Sequence, residues 1–265
     1  MITILSLGAG VQSSTLALMA ERGLLPKPDV AIFADTGTEP PNVYAWLETL
    51  KSLLSYEVLT VDAGNLAETS TRVRISKKTG NAYLSHNVPS YAKNFDLTKG
   101  LNRRQCTDKH KIRPLLKAIN KLRKRGPAEV WIGISTDEAS RMKDSKVKGI
   151  THKWPLIDMN LSRIDCLSWM KDQGFPVPPR SACVFCPFHS DSEWVRLKTE
   201  DKPSFEAAVA YEKSLQKAAS LIPRITSTPF LHRSLMPLDQ VDFSANKESK
   251  QLNLFNNECE GMCGV

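Results

Sequence analysis

The chain has 265 residues, 41% of them hydrophobic and 24% charged, an ordinary globular balance with enough length to bury a substantial core. That composition excludes a disordered, collagen-like or fibrous chain, and no stretch reaches the roughly 18–20 uninterrupted apolar residues of a membrane-spanning helix. The formal charge of +8 is unevenly spread: residues 99–125 hold eleven Lys and Arg against the single Asp108, a local +10, and the remainder sums to −2. One face is therefore expected to meet an anion, either a phosphorylated small molecule or a nucleic acid backbone, although a solvated basic helix would carry the same residues.

The opening Met1-Ile2-Thr3-Ile4-Leu5 runs directly into Gly8 and Gly10 without a basic region or cleavage site, so a cytoplasmic protein without a membrane partner is expected. Ile2–Leu5 reads as a strand, Ser13–Arg22 as a helix, Asp29–Ala34 as a second strand and Asn42–Leu54 as a second helix with one apolar stripe. Tyr56–Val61 and Glu129–Ile134 supply two more strands, the latter after a basic helix over 112–125. This alternation predicts an α/β fold with a parallel sheet flanked by helices and right-handed crossovers. Ligands in such sheets sit beyond the carboxyl ends of the strands.

Residues 64–105 are polar and interrupted by Gly80, Pro89 and Gly100, and read as an insertion or lid with at most short helices or a hairpin. The expected organisation is a nucleotide-binding domain over 1–190, which includes a cysteine cluster, and a helical extension over 191–265 that ends in a mobile cysteine-containing tail.

Ser6-Leu7-Gly8-Ala9-Gly10-Val11-Gln12-Ser13 joins the first strand to the first helix. Small residues let the backbone approach a ligand, and the free N–H groups of the helix start favour phosphate or sulfate oxygens. Gln12 stands where a Walker lysine would precede Ser13, and Ser13 occupies the third glycine place of a dinucleotide fingerprint, so neither pattern is met.

Six cysteines lie at 106, 166, 183, 186, 259 and 263. Cys183-Val184-Phe185-Cys186 points to a metal, an iron–sulfur cluster or redox chemistry, and spacing alone does not choose among them.

The loop resembles the pyrophosphatase loop, or PP-loop, of the adenine-nucleotide α-hydrolases, and the form with Gln12 looks like that of phosphoadenosine phosphosulfate reductases. Further matches follow in the family's order: Phe33-Ala34-Asp35-Thr36-Gly37 with Pro41 and Tyr44, Lys111-Ile112-Arg113-Pro114-Leu115, Trp131–Ile134, Glu138 with Arg141, Trp154–Asp158, and Ser181–Pro187. Together they span residues 2–190. The sequence departs from the commoner loop in having Gly8-Ala9 for Ser-Gly and Gln12 for Asp.

The resemblance implies an enzyme that binds an adenine nucleotide, ATP or an adenylyl sulfate, through Ser6, Gly8, Gly10, Gln12, Ser13, Asp35, Thr36 and Gly37, with Mg as a further cofactor. It places Lys111, Arg113 and Arg141 around the anionic end of that substrate. It also implies a 4Fe–4S cluster, with zinc as the alternative, on Cys106, Cys166, Cys183 and Cys186; Thr107 stands where the family's upstream cysteine pair would have its second member. Glu258-Cys259 is similar to the reductases' mobile thiol, which attacks the sulfate sulfur and leaves a thiosulfonate for a thiol reductant. Two other expectations stand beside this one. The first is an ATP-dependent sulfurtransferase that takes sulfur from a donor and modifies tRNA or DNA bound through residues 99–125. The second is a nucleotide-sensing or nucleic-acid-binding module without turnover.

Overall fold

The structure, a computed structural model, describes residues 1–85, 88–93 and 99–243, so Cys259 and Cys263 lie outside the described residues. In chain order the first elements are β1 (Ile2–Leu7), α1 (Val11–Glu21), β2 (Val30–Asp35), α2 (Pro41–Leu53) and β3 (Glu57–Asp62). A short helix α3 (Leu66–Thr71) and the three-residue strands β4 (Val73–Ile75), β5 (Ala82–Leu84), β6 (Tyr91–Lys93) and β7 (Lys99–Leu101) follow. After a π-helical turn, Thr107–Ile112, come α4 (Arg113–Leu122), β8 (Ala128–Ile132), β9 (Ile150–Lys153), α5 (Pro155–Asp158) and α6 (Arg163–Asp172). The last elements are α7 (Asp191–Glu200), α8 (Lys202–Ser220) and β10 (Thr228–Phe230).

The chain forms two compact units. Among the described residues the first is built from Met1–Ala63 and Thr107–Ala182, the second from Gly64–Cys106 and residues 183–243. The compact units therefore do not follow the division at residue 190 expected from the sequence. The segment 64–105, expected as an insertion, shares a core with the C-terminal helices, because its three-residue strands are too short to bury a core of their own.

The sheet unit holds a five-stranded parallel sheet in the order β3-β2-β1-β8-β9. The alternating side chains of β1 and β2 divide between its faces. Leu5, Leu7, Ala31 and Phe33 join α1, α2 and α6 in one core, while Ile4, Val30, Ile32 and Ala34 join Leu115 and Ile119 of α4 in the other. Both faces are covered, as the near-continuous apolar strands require. Strand β9 escapes sequence reading because Thr151, His152 and Lys153 are polar; its parallel pairing with β8 creates it.

The start of α4 has a local cause. Pro114 falls in the first turn of α4, where its missing N–H needs no intrahelical partner, so α4 starts directly after the π-helical turn Thr107–Ile112. The helical unit packs Trp194, Leu197, Phe205 and Leu215 of α7 and α8 against Leu66, Leu84 and Val88. Among the described residues no helix is long and apolar enough to cross a membrane.

Candidate nucleotide-binding site

In the order β3-β2-β1-β8-β9 the crossovers leave β1 in opposite directions, so the carboxyl ends of β1 and β8 flank the topological switch point. The loops that emerge there are 8–10, leading into α1, and 133–135, leading into a 3-10 turn over Thr136–Arg141. The first loop is buried throughout. Ala9 holds a left-handed backbone at φ 57°, which costs a residue with a Cβ roughly 1–2 kcal/mol. Ser13 Oγ accepts the Gly8 N–H at 3.1 Å and closes the turn. The start of α1 has no side-chain cap and no acid in its first turn, so its positive end is left uncompensated by its own residues.

Around this helix start lies a buried polar network. The Gln12 amide nitrogen donates to Glu138 Oε2 at 3.1 Å and to Ser135 Oγ at 3.4 Å. Its oxygen accepts from Arg163 Nη1 at 3.2 Å, while Arg141 pairs with Glu138. Burial raises the Glu138 pKa, and the Arg141 guanidinium works against that rise. Asp137 adds a second carboxylate: its Oδ1 accepts the Arg163 backbone N–H at 3.0 Å, so the two guanidinium groups of the network stand against two carboxylates. Trp46 Nε1 donates to Ser14 Oγ at 2.9 Å, which fixes the first turn of α1 to α2.

At the end of β2, Asp35 Oδ1 accepts from the Gly37 N–H at 2.7 Å and from the Tyr44 hydroxyl at 2.8 Å. Gly37 takes φ 69°, the left-handed turn that brings its N–H back to the carboxylate. Burial, with the Asp35 carboxylate next, raises the Tyr44 pKa, so the phenol stays a donor. Both bonds go to one oxygen and leave Asp35 Oδ2 available to a hydroxyl or a hydrated cation. Thr36 is buried, and its hydroxyl meets that of Thr38 at 2.8 Å.

Lys111 is buried in the π-helical turn, 3.4 Å from Glu39 Oε1, and Glu39 Oε2 accepts from Ser181 Oγ at 3.2 Å. Arg113 is placed differently from the sequence expectation. Its side chain is 68% exposed and paired with Asp108 at 2.7 Å, because two residues further along the turn faces solvent. Sequence reasoning missed Arg163 and Glu39. Glu39 lies two residues after the Asp-Thr-Gly turn, a position that could have marked it; nothing local marks Arg163.

The cysteines divide. Cys183 and Cys186 share a turn, with the Cys186 N–H donating to the Cys183 carbonyl at 2.9 Å, and Cys106 belongs to the same helical unit. Cys106 and Cys183 pack beside the aromatic core, near enough to Tyr211 to add to the rise in its pKa that burial mainly causes. Cys166 instead has no exposed surface and lies in the apolar core of the sheet unit with Met170 and Leu156. Soft thiols suit iron–sulfur or zinc, but a closed site needs four donors. Among the described residues no three His, Cys, Asp or Glu side chains gather to hold a metal. The four cysteines expected as ligands are thus divided between the units, with Cys166 a core residue on α6 of the sheet unit.

No family model matches the chain. It is 27% identical over 204 residues to the uncharacterized nin region protein ORF290 of Escherichia phage lambda, a match covering 70% of this chain and 66% of that protein, just under two thirds of the relative's length. Among solved structures it is similar to the phosphoadenylyl-sulfate (PAPS) reductase of Candida auris in its phosphate complex, with a TM-score of 0.46 and 17% identity over 67% of this chain and 75% of that one.

Proposed function

We propose that the chain is an enzyme of the PP-loop type that binds an adenine nucleotide by its phosphates at the β1–α1 loop and carries out sulfur chemistry on it. The observation that carries this reading is the buried network of Gln12, Glu138, Ser135 and Arg163 beside an uncapped helix start, at the switch point of a parallel sheet. A phosphate or sulfate group there meets backbone N–H groups at the uncapped positive end of α1. Asp35 Oδ2 accepts from a nucleotide hydroxyl or holds the accompanying Mg. Arg141 and Arg163 offset the charge that grows on the leaving phosphate, and Lys111 orders the turn beyond them.

The leading branch is reduction of an adenylyl sulfate. The Cys259 thiolate attacks sulfur, the sulfur–oxygen bond to the nucleotide phosphate breaks and the nucleoside phosphate leaves; an external thiol then attacks the Cys259 sulfur of the thiosulfonate, releasing sulfite and forming a mixed disulfide that a second thiol reduces. The second branch, ATP-dependent sulfur transfer to tRNA or DNA, is favoured by the exposed basic residues of α4. Cys183 and Cys186, which share a turn, are proposed as two thiolate donors to a 4Fe–4S cluster or zinc, with Cys106 of the same unit drawn to them when the group binds. Such a cluster supplies charge and redox capacity when bound.

Calorimetry with ATP, adenylyl sulfate and 3′-phosphoadenylyl sulfate tests the nucleotide reading. The protein should bind at least one, and Gly10→Val should lose about a hundredfold in affinity or more with unchanged helical circular dichroism, since a branched side chain blocks backbone approach. Equal affinity in Gly10→Val overturns the site. Intact-mass analysis after incubation with adenylyl sulfate separates the branches: a sulfonate adduct on Cys259 supports reduction, and ATP consumption without an adduct supports transfer.

A further inference from the structure

The eleven basic residues of 99–125 are divided between the two units. Lys99, Arg103 and Arg104 belong to the helical unit. In the sheet unit Lys111 is buried against Glu39 and Arg113 is paired with Asp108. Arg123 turns inward, with Nη1 donating to the carbonyls of Gly126 at 3.2 Å and Lys148 at 3.3 Å. Lys117, Lys121, Lys124 and Arg125 remain exposed and without an ion pair among the described residues. Lys117 and Lys121 recur at helical spacing opposite the buried Leu115 and Ile119, and Lys124 follows in the turn just after α4.

The tertiary structure adds a second basic element that composition does not reveal. Through Lys148 the Arg123 guanidinium ties the 143–149 loop to the turn after α4. His152 Nδ1 holds the other end of this loop at the Lys143 carbonyl, 2.8 Å away, and Ser145 Oγ accepts the Val147 N–H at 3.1 Å. Gly149, at φ +81°, lies so close to Arg123 that a Cβ there would stand 2.7 Å from Nη1. The loop exposes Lys143, Lys146 and Lys148 against the single acid Asp144. Next to it Lys124 and Arg125 take left-handed φ values of 45° and 69° in succession, a backbone that side chains rarely adopt.

These cations stand where β8 and β9 begin, at Ala128 and Ile150, the amino edge of the sheet. The nucleotide loop leaves the carboxyl edge, so a small ligand there does not use them. We infer that this amino edge is a separate docking surface for the phosphodiester backbone of a nucleic acid. Like charges spread along a helix stripe and a pinned loop repel one another, and a polymer with regularly spaced phosphates relieves that repulsion at several points at once. A loop already held at both ends is ordered at little further cost on binding. The inference does not rest on nucleotide binding at the β1–α1 loop.

The test is fluorescence anisotropy of the full chain with labelled duplex DNA and with an RNA hairpin of matched length, repeated across a salt series. Lys121→Glu with Lys124→Glu, and separately Lys146→Glu with Lys148→Glu, should each weaken binding about tenfold or more and lower the salt slope by about two. Lys171→Glu on α6 is the control and should change little. Thermal melting confirms that the variants fold, and their nucleotide affinity should be unchanged. Preference between the two polymers names the partner. The inference is overturned by binding indifferent to salt, by no effect of the loop pair, by equal loss in the control, or by equal competition from an acidic polypeptide of matched charge. Loss of nucleic-acid binding in Gly10→Val also overturns it, because the two sites would then be one.

Discussion

The two units bury their chemistry in different ways. In the sheet unit the strands supply an aliphatic core on both faces, and polar side chains of the candidate site are matched in pairs: Gln12 with Glu138 and Arg163, Lys111 with Glu39, Trp46 with Ser14. The helical unit has only three-residue strands, so aromatic side chains carry its core. Trp194 is fully buried, and the Phe185 and Tyr211 rings stack with centroids 3.8 Å apart. Its thiols sit at the margin of that core, half-buried rather than sealed. The contrast separates charge chemistry, which needs fixed partners, from thiol chemistry, which needs access.

The largest effect is expected from breaking a matched pair. Lys111→Ala leaves the fully buried Glu39 carboxylate with Ser181 as its remaining side-chain partner among the described residues and should cost about 3–5 kcal/mol of stability in urea unfolding. Replacing both partners, Lys111→Met with Glu39→Leu, should recover most of that loss. A loss in Lys111→Ala no larger than that of an exposed lysine would remove the distinction between the units.

Smaller, and sharper for the thiols, is the comparison of Cys166→Ala with Cys183→Ala. The first should cost about 1 kcal/mol, as for a small buried hydrophobe, and leave the metal content of anaerobically prepared protein unchanged. The second should lower the iron and sulfide, or the zinc, bound per chain. Equal metal loss in both variants would return Cys166 to the ligand set.

The smallest effect concerns pH. Because burial raises the Glu138 pKa, the folded chain holds that proton more tightly than the unfolded one. The contribution is fully present below the ordinary carboxylate pKa and is lost as pH rises through the raised folded value. Melting temperatures across that range should decline less in Glu138→Gln than in the parent protein. Parallel curves would mean that Arg141 fully offsets the burial.

By itself the sequence determined the alternation of strands and helices, the parallel sheet and the β1–α1 loop. Each is written in local periodicity: the predicted Asn42–Leu54 helix differs from the observed Pro41–Leu53 by one residue at each end, and the loop's small residues are contiguous. The tertiary structure alone decided which polar groups meet. Arg163 reaches Gln12 from 151 residues away, β9 exists only as a partner of β8, and the charge of 99–125 is divided between the units and between buried, paired and exposed positions. Cys166 shows the same limit. Its spacing from Cys183 is compatible with a ligand, but the side of α6 on which it falls is buried by the sheet unit, and only long-range packing specifies that burial.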